Sequence, residues 1–331
     1  MRAVVIDHPG RVEVREVPEP VAGQGQVVIG VRACGICGTD LHIADGEFPP
    51  TPYPIIPGHE FAGEVVATGP GVPPDLIPDG ALVAVDPSLF CGNCVMCRSG
   101  RGNLCQRWNA IGDTVDGAFA EFVAVPAANV YPLPPGLNAR QGALVEPVAC
   151  AVHGMRRLGP VAQSPAVVFG AGTMGLLLQQ LLLDSGAASV TVVDRVPERL
   201  AAARALGAAH TAASPGDLAG ERFDVAVDAT GSPQLIEAAC DALRPGGRLL
   251  VFGVAAQQAA VRLSPFRIYN DELTIIGSMA VLHSFDQAIA VLSSGAVDAA
   301  ALLGQPYRLD RFEDALASAR AGHGIKVQVS P

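Results

Sequence analysis

The stretch Ala166 to Leu183 has the sequence AVVFGAGTMGLLLQQLLL. Its first apolar run predicts a β-strand and its second predicts a helix. The turn between them contains Gly170, Gly172 and Gly175 in the spacing GxGxxG, which is typical of a dinucleotide site when a strand precedes it and a helix follows. Glycines let a pyrophosphate approach backbone N–H groups, and the start of a helix attracts negative charge. The stretch therefore predicts a βα unit that binds a dinucleotide.

The next apolar run, SVTVVD, ends at Asp194. An acid at about this distance, roughly 20 residues beyond the glycines, is expected to accept hydrogen bonds from the hydroxyls of the adenosine ribose. The same charge repels a 2′-phosphate, so we expect NAD rather than NADP. Arg195 moderates this preference, since a guanidinium can accommodate the phosphate. The alternative interpretation of Asp194 is an ordinary turn residue at a strand end.

The pattern of predicted secondary structure changes near Pro147. Beyond it, predicted strands alternate with Ala-rich helices, a pattern typical of a doubly wound parallel sheet. Before it, β-rich runs separated by glycine and proline predict a partly closed antiparallel β domain. The strands predicted before Pro147 cover residues 3–6, 12–17, 27–33, 61–68, 82–85 and 117–125. After it, strands are predicted at 166–169, 190–193, 224–228, 248–252 and 273–276, and helices at 174–184, 197–206 and 233–243.

A second chemically rich stretch runs from Cys37 to Glu60. A thiolate and an imidazole are the ligands of a borderline-soft metal, so Cys37 and His59 indicate a zinc site. We expect the stretch to be a loop, because glycines permit tight turns and prolines oppose a helix through its middle. Its most reactive side chains are those of Cys37, Thr39, Asp40, His42, His59 and Glu60. The prolines are Pro49, Pro50, Pro52, Pro54 and Pro57.

Four of the eight cysteines fall within CGNCVMCRSGRGNLC, as Cys91, Cys94, Cys97 and Cys105. Such crowding predicts a structural zinc site with four thiolate ligands. Disulfides are the alternative interpretation, disfavoured where no export signal is found. A nucleic-acid-binding finger would need a recognition helix and a basic surface, which this segment does not suggest.

Composition limits the remaining choices. The 331 residues, half of them hydrophobic, predict two domains with sizeable cores. The formal net charge of −10 argues against a non-specific hold on nucleic acid or anionic membranes. The first residues carry too short an apolar run for a secretory signal, and three glycines and two glutamines interrupt the apolar window 166–183. We therefore expect a cytoplasmic protein without a membrane span.

The chain resembles the zinc-containing medium-chain alcohol/polyol dehydrogenases, particularly the sorbitol- and xylitol-like members. The resemblance covers essentially the whole chain and implies a GroES-like catalytic domain (1–147), a Rossmann NAD-binding domain (148–283) and a C-terminal segment (284–331) that returns to the first domain. It also implies a cleft where the metal faces the nicotinamide. The motifs that carry it, besides the four clustered cysteines, are GICGTDLH at 35–42, PGHEFAGEV at 57–65, LVEP at 144–147, GAGTMG at 170–175 and ELTIIGS at 272–278.

The resemblance implies Cys37 and His59 as ligands of the catalytic zinc. The third ligand stays open between Glu60 and Glu146, because polyol-like relatives have both acids, and Glu60 is alternatively a neighbour that never binds the metal. Asp40 matches the acid that orients the ligating histidine. The implied cofactor-binding residues are Gly170, Gly172, Thr173, Met174, Gly175, Asp194, Arg195 and Arg199.

The implied chemistry is reversible hydride transfer between NAD(H) and a secondary alcohol or polyol. Zinc lowers the pKa of the substrate hydroxyl. Thr39 and His42 match a proton relay from that hydroxyl to solvent, and histidine suits its outer end because it titrates near neutral pH. A surface loop histidine is the alternative interpretation of His42.

Substrate identity stays open. Sorbitol-like relatives have an Arg-Tyr pair after the last Rossmann strand, whereas this chain has Ser278, Met279, Ala280 and Val281. Relatives form dimers, often paired into tetramers, so a homodimer or homotetramer is implied. Two rival functions remain: a non-catalytic, zinc-stabilised dinucleotide-binding protein, and a zinc-independent quinone or enoyl reductase of the same superfamily.

Overall fold

The computed structural model describes residues 1–48, 50–73, 77–78 and 80–331, so Pro49 lies outside the described residues. In these residues the strands are β1 (Arg2–His8), β2 (Arg11–Glu16), β3 (Gln26–Gly35), β4 (Glu60–Thr68), β5 (Leu82–Val85), β6 (Ser88–Leu89), β7 (Asn109–Ala110), β8 (Phe122–Pro126), β9 (Val130–Pro132), β10 (Pro165–Phe169), β11 (Ser189–Val193), β12 (His210–Ala212), β13 (Phe223–Asp228), β14 (Leu243–Val251), β15 (Thr274–Gly277), β16 (Tyr307–Arg308) and β17 (Gln328–Ser330). The α-helices are α1 (Gly38–Asp45), α2 (Val95–Arg98), α3 (Ala139–Gly142), α4 (Val145–Leu158), α5 (Thr173–Asp184), α6 (Pro197–Ala205), α7 (Pro233–Asp241), α8 (Pro265–Asn270), α9 (Phe285–Ser294), α10 (Ala299–Leu302) and α11 (Phe312–Ala321). Across these residues, the structure contains no helix with the length and apolar character that a membrane crossing requires.

Two compact units make up the described chain. The first comprises Met1–Ala149, Val281–Gly295 and Leu302–Pro331, and the second comprises Cys150–Ala280 and Ala296–Ala301. The first unit is built on a sheet with the strand order β16-β17-β3-β4-β5-β9, with β8 also paired to β3. β3, β4, β5, β8 and β9 pair antiparallel, as the sequence predicts for the first half of the chain. Buried side chains such as Ile29, Phe61 and Val83 fill its core.

The chain terminus is part of this first sheet. β17 pairs antiparallel with β3, with Gln328 opposite Gly35 and Val329 opposite Cys34. The N–H of Ile36 then donates to the carbonyl of Val327 at 2.9 Å. The last residues therefore lie beside the end of β3, where the segment with Cys37 begins.

The prediction of a loop from Cys37 onward is wrong for α1. The residues Gly38–Asp45 contain no proline, and Asp40 Oδ2 accepts a hydrogen bond from the N–H of Cys37 at 2.7 Å, which satisfies a backbone donor at the helix start. The helix ends at Gly46, whose φ of 76° suits a glycine. The prolines lie beyond this point, so they do not oppose the helix.

The predicted strand at 117–125 is observed only from Phe122 onward, as β8. Instead, Gly117 and Ala118 donate backbone hydrogen bonds to the carbonyls of Ile56 and Gly58 at 2.7 and 2.9 Å. Two glycines make this contact possible: a Cβ added to Gly112 would lie 2.8 Å from the nitrogen of His59, and one added to Gly58 would lie 2.8 Å from the nitrogen of Phe119. The segment 112–119 therefore packs against the residues that lead into His59.

The second unit contains a six-stranded parallel sheet in the order β12-β11-β10-β13-β14-β15. This order is that of a Rossmann fold, so the predicted α/β class is confirmed. α5 packs on β10 and β11, α6 on β11 and β12, and α7 on β13 and β14. β14 begins at Leu243, earlier than predicted, because an irregularity in its pairing with β13 accommodates the sequence RPGG.

Candidate metal centre and dinucleotide site

Cys37, His59 and Glu60 converge in the first unit. Cys37 immediately precedes α1, His59 immediately precedes β4, and Glu60 is the first residue of β4. One ligand atom from each of the three lies within 4.8 Å of the other two. His59 and Glu60 are buried, and Cys37 is half-buried. Sulfur, nitrogen and oxygen at this separation form a donor set that fits zinc.

Asp113 is the nearest carboxylate to the ring of His59. Its Oδ1 lies 2.9 Å from Nδ1 of His59, whereas Oδ1 of Asp40 lies 3.9 Å from the same nitrogen. Asp113 Oδ1 thus lies closer to the ring of His59 than Asp40, the acid that the resemblance implies for orienting it, and Oδ2 of Asp40 accepts from the N–H of Cys37. The sequence signal was an acid directly after Gly112, whose contact with Gly58 brings it to His59.

These groups shift one another's pKa values. Burial lowers the pKa of His59, but the charges of Asp113 and Asp40 outweigh it and hold the pKa well above its usual value. Burial raises the pKa of Asp40 to about 7, against the opposing charge of His59. A buried, charge-rich pocket of this kind is where bound metal ions and reactive groups are found.

Glu60 forms a buried ion pair with Lys326, a residue that sequence analysis missed. Nζ of Lys326 also donates to the carbonyl of Ile36 at 3.0 Å. Burial lowers the pKa of Lys326, but the charge of Glu60 outweighs this and the net pKa is raised. A lone lysine near the C-terminus gives no sequence signal for such a contact.

Glu146, Thr39 and His42 are the other residues discussed above for the catalytic site, and they differ in burial and in their neighbours. Glu146 is buried in the first turn of α4 and is not part of the group of ligand atoms formed by Cys37, His59 and Glu60. Thr39 lies in the first turn of α1, with its Oγ1 3.9 Å from Sγ of Cys37. His42 is about half exposed, at 49%, and its Nδ1 lies 2.8 Å from Oε2 of Glu47.

The four clustered cysteines come together as predicted. Their sulfur atoms lie within 4.8 Å of one another, with Cys94 and Cys97 at 3.5 Å. Hydrogen bonds from backbone N–H groups, first that of Asn93, lower the pKa of Cys91 to about 5, whereas burial raises that of Cys97 to about 12. Four thiolates repel one another when they are packed this closely, and a dication removes that repulsion. The set therefore fits a tetrahedral zinc ion.

The second unit holds a cavity of about 640 Å³ at the carboxyl ends of its strands. Gly170, Gly172, Asp194, Arg195 and Arg199 line it, whereas Thr173, Met174 and Gly175 are not among its lining residues. Gly170 has a φ of 101°, and a Cβ at Gly175 would collide with the carbonyl of Gly170. Ser214 and Thr230 also line the cavity, and sequence analysis missed both because they follow β12 and β13 without a motif.

This cavity fits a dinucleotide. A Cβ at Gly172 would enter open space at the start of α5, the place where a phosphate group can meet the helix. Oδ2 of Asp194 accepts from the N–H of Ala171 at 2.7 Å, and Oδ1 accepts from the N–H of Val196 at 2.8 Å. Each carboxylate oxygen has two lone pairs, so both can also accept from ribose hydroxyls.

Comparison with known proteins agrees with this geometry. Residues 23–135 match the family model for the alcohol dehydrogenase GroES-like domain, and residues 173–294 match that for zinc-binding dehydrogenases. The chain is 34% identical to D-arabinitol dehydrogenase 1 of Uromyces fabae over 100% of this chain and 97% of the relative. It is 37% identical to D-altritol 5-dehydrogenase of Agrobacterium fabrum over 89% of this chain and 88% of the relative.

A solved structure described as a zinc-binding dehydrogenase from Sinorhizobium meliloti 1021, bound to NADP, superposes with a TM-score of 0.95 at 34% identity, covering 100% of this chain and 99% of that one. Whole-length similarity to named dehydrogenases confirms the family, the GroES-like and Rossmann folds, and the use of zinc and NAD(P). The chain therefore belongs to the zinc-containing medium-chain alcohol/polyol dehydrogenases and is an NAD(P)-dependent oxidoreductase.

Proposed function

We propose that the protein oxidises a secondary alcohol of an open-chain polyol to a ketone, reversibly, with NAD as the hydride acceptor and Cys37, His59 and Glu60 as the ligands of the catalytic zinc. The convergence of these three side chains within 4.8 Å carries the proposal. Bound zinc supplies a Lewis acid that lowers the pKa of the alcohol hydroxyl, and bound NAD accepts the hydride that leaves the carbinol carbon. The products are a ketone, NADH and a proton.

Glu60, rather than Glu146, is the third ligand in this proposal. The carboxylate of Glu60 is in reach of the same point as Cys37 and His59, and it starts the rigid strand β4. Asp113 and Asp40 orient His59 through its Nδ1, which leaves Nε2 for the metal. Glu60→Gln should therefore reduce the content of catalytic zinc more than Glu146→Gln does.

Thr39 and His42 carry the released proton away in this proposal. Thr39 lies close to Cys37 Sγ, so its hydroxyl can accept the proton of the substrate hydroxyl. His42 is half-exposed and paired with Glu47, which suits a group that exchanges protons with water. Thr39→Ala should lower kcat more than Thr39→Ser, since serine keeps the hydroxyl.

NAD is the preferred cofactor in this proposal, because Asp194 lines the cavity and repels a 2′-phosphate. Because that structural neighbour is bound to NADP, kcat/KM measured with NAD and with NADP tests this preference. The four-cysteine site holds a second zinc that fastens residues 91–105. Eight free thiols, five of them proposed zinc ligands, suit a reducing compartment, and we propose the cytoplasm.

A homodimer or homotetramer is also part of the proposal. β15 is an edge strand, paired to β14 on one side, and its Ile275 is 40% exposed. Phe266 and Tyr269 of α8, in the same unit, are 72% and 82% exposed. An open strand edge and exposed apolar side chains in one unit suit pairing with a second copy. Ile275→Lys should lower the molecular mass in solution, measured by light scattering.

The substrate class comes from the named relatives, D-arabinitol dehydrogenase 1 and D-altritol 5-dehydrogenase. The test is NAD reduction over a panel of polyols and simple secondary alcohols, with and without a chelator. We expect the polyols to be oxidised faster and the chelator to abolish turnover. Cys37→Ala should abolish turnover while NAD still binds. Turnover in Cys37→Ala would refute the zinc site, and binding of NAD without any turnover would favour a non-catalytic protein.

A further inference from the structure

Lys326 is a buried cation in contact with the proposed metal-binding carboxylate. The side chains of Lys326 and Glu60 are 3% and 2% exposed, and Nζ of the lysine pairs with Oε2 of the glutamate. The same Nζ donates to the carbonyl of Ile36, the residue before the proposed ligand Cys37. Lysine is rarely buried so completely unless it is paired, so this contact is a built feature of the site.

The backbone around the pair leaves room for it and holds it in place. Gly35 lies opposite Glu60 in the pairing of β3 with β4. Because glycine has no side chain, the ion pair can occupy the space beside it. A Cβ at Gly35 would lie 2.6 Å from Cε of Lys326 and closer still to Oε2 of Glu60. The N–H of Lys326 donates to the carbonyl of Leu302 at 3.1 Å, so the lysine backbone is also fixed.

We propose that Lys326 is a positioning residue of the catalytic metal site, whose ammonium competes with the bound ion for the Glu60 carboxylate. This inference rests on the proposed function, in which Glu60 is a ligand of that ion. Because the carboxylate is shared, the site holds the ion less tightly than an unpaired glutamate would. The ion accordingly keeps more of its positive charge for the substrate hydroxyl.

Lys326 weakens the binding of the ion because the charges in a buried site must balance. With Lys326 present, the charge of Glu60 is already compensated, and the ion gains less by binding to it. Without the ammonium, the buried carboxylate is compensated only by the ion, so the binding of the ion must strengthen. A lysine that served only to pack the site would have the opposite effect, since its loss would loosen Glu60 and weaken the binding of the ion.

The test is the rate at which zinc passes from the purified enzyme to an excess of a chromophoric chelator. Lys326→Met keeps an unbranched side chain one atom shorter but removes the charge, and Lys326→Arg keeps the charge as the matched control. We expect Lys326→Met to slow release from the catalytic site by about tenfold or more, an effect opposite in direction to the loss of metal affinity that follows when a residue supporting a metal ligand is replaced. Lys326→Arg should release zinc at nearly the wild-type rate, and the phase from the four-cysteine site should be unchanged in both.

Faster or equal release from Lys326→Met would overturn the inference. If that variant does not fold, Lys326→Gln, which keeps a donor for the carbonyl of Ile36 without the charge, takes its place with the same expectation. In a Glu60→Gln background that has been reloaded with zinc, Lys326→Met should slow release no further, and additional slowing there would also contradict the competition. A wild-type enzyme that holds one zinc per chain would instead refute the proposed function, which distinguishes the two failures.

Discussion

His59 Nδ1 lies 2.9 Å from Asp113 Oδ1, and both side chains are buried. This contact depends on the backbone, because Gly112 packs against Gly58 and the nitrogen of His59. A carboxylate on one ring nitrogen leaves the other ring nitrogen to the metal and fixes the plane of the ring. The same carboxylate stabilises the protonated ring when no metal is bound.

The first prediction concerns the coupling of zinc binding to protons. With the pKa of His59 raised, the metal-free protein carries an imidazolium near neutral pH, and zinc must displace its proton. Zinc affinity should therefore decrease as the pH is lowered, by about tenfold per pH unit for each proton displaced. Asp113→Asn removes a charge that raises this pKa, so it should release about one proton fewer per zinc near neutral pH. Calorimetry in buffers of different ionisation enthalpy measures this number.

The raised pKa of His59 also changes how the stability of the metal-free fold depends on pH. A raised histidine pKa stabilises the metal-free fold below the ordinary pKa of histidine, and this stabilisation is lost as pH rises through the folded-state value. Metal-free Asp113→Asn should therefore be less stable than wild type at acidic pH, and this difference should shrink as pH rises through the folded-state pKa of His59. Equal proton release by the two proteins would contradict the role given to Asp113.

The contact between His59 and Asp113 could not be predicted from the sequence. The glycine motif, Asp194 and the cysteine spacing are local patterns, and each predicts its own structure. Asp113 and Lys326 reach the metal centre only through tertiary packing, the first through glycine contacts and the second through the pairing of β17 with β3. Helix α1 forms against the predicted loop for a local reason: the prolines lie only beyond Gly46, and residues 38–45 contain none.

The second prediction concerns Gly35. Gly35→Ala should lower the free energy of unfolding by about 1–3 kcal/mol, as overpacking of a filled interior does. The added Cβ would collide with the Lys326–Glu60 pair. Urea denaturation measures the change. Gly38→Ala is the matched control, because its Cβ would enter open space at the start of α1, and it should be as stable as wild type or more so. Equal stability of the two variants would show that the pair gives way easily.

The third prediction separates the two zinc sites. Cys91→Ala removes one of four proposed ligands whose sulfur atoms lie within 4.8 Å of one another, so it should lose the structural zinc and melt at a lower temperature. Elemental analysis should still find the catalytic zinc, because its proposed ligands Cys37, His59 and Glu60 are unchanged. Cys150→Ala lies outside both groups and should keep both ions. An unchanged melting curve for a Cys91→Ala protein that has lost zinc would contradict the structural role.

The fourth prediction concerns cofactor choice at Asp194. Asp194→Asn removes the charge that faces a 2′-phosphate while it keeps one oxygen to accept from the N–H of Ala171 or Val196. Hydrogen bonds to charged groups are worth about 1.5–3 kcal/mol, so the ratio of kcat/KM for NADP to that for NAD should rise by about tenfold to a hundredfold. Arg195 and Arg199 line the same cavity and would then contact the phosphate. Adding Arg195→Ala should therefore reverse part of the gain. If the ratio did not change in Asp194→Asn, the carboxylate would hold only the turn after β11, and cofactor choice would depend on the arginines.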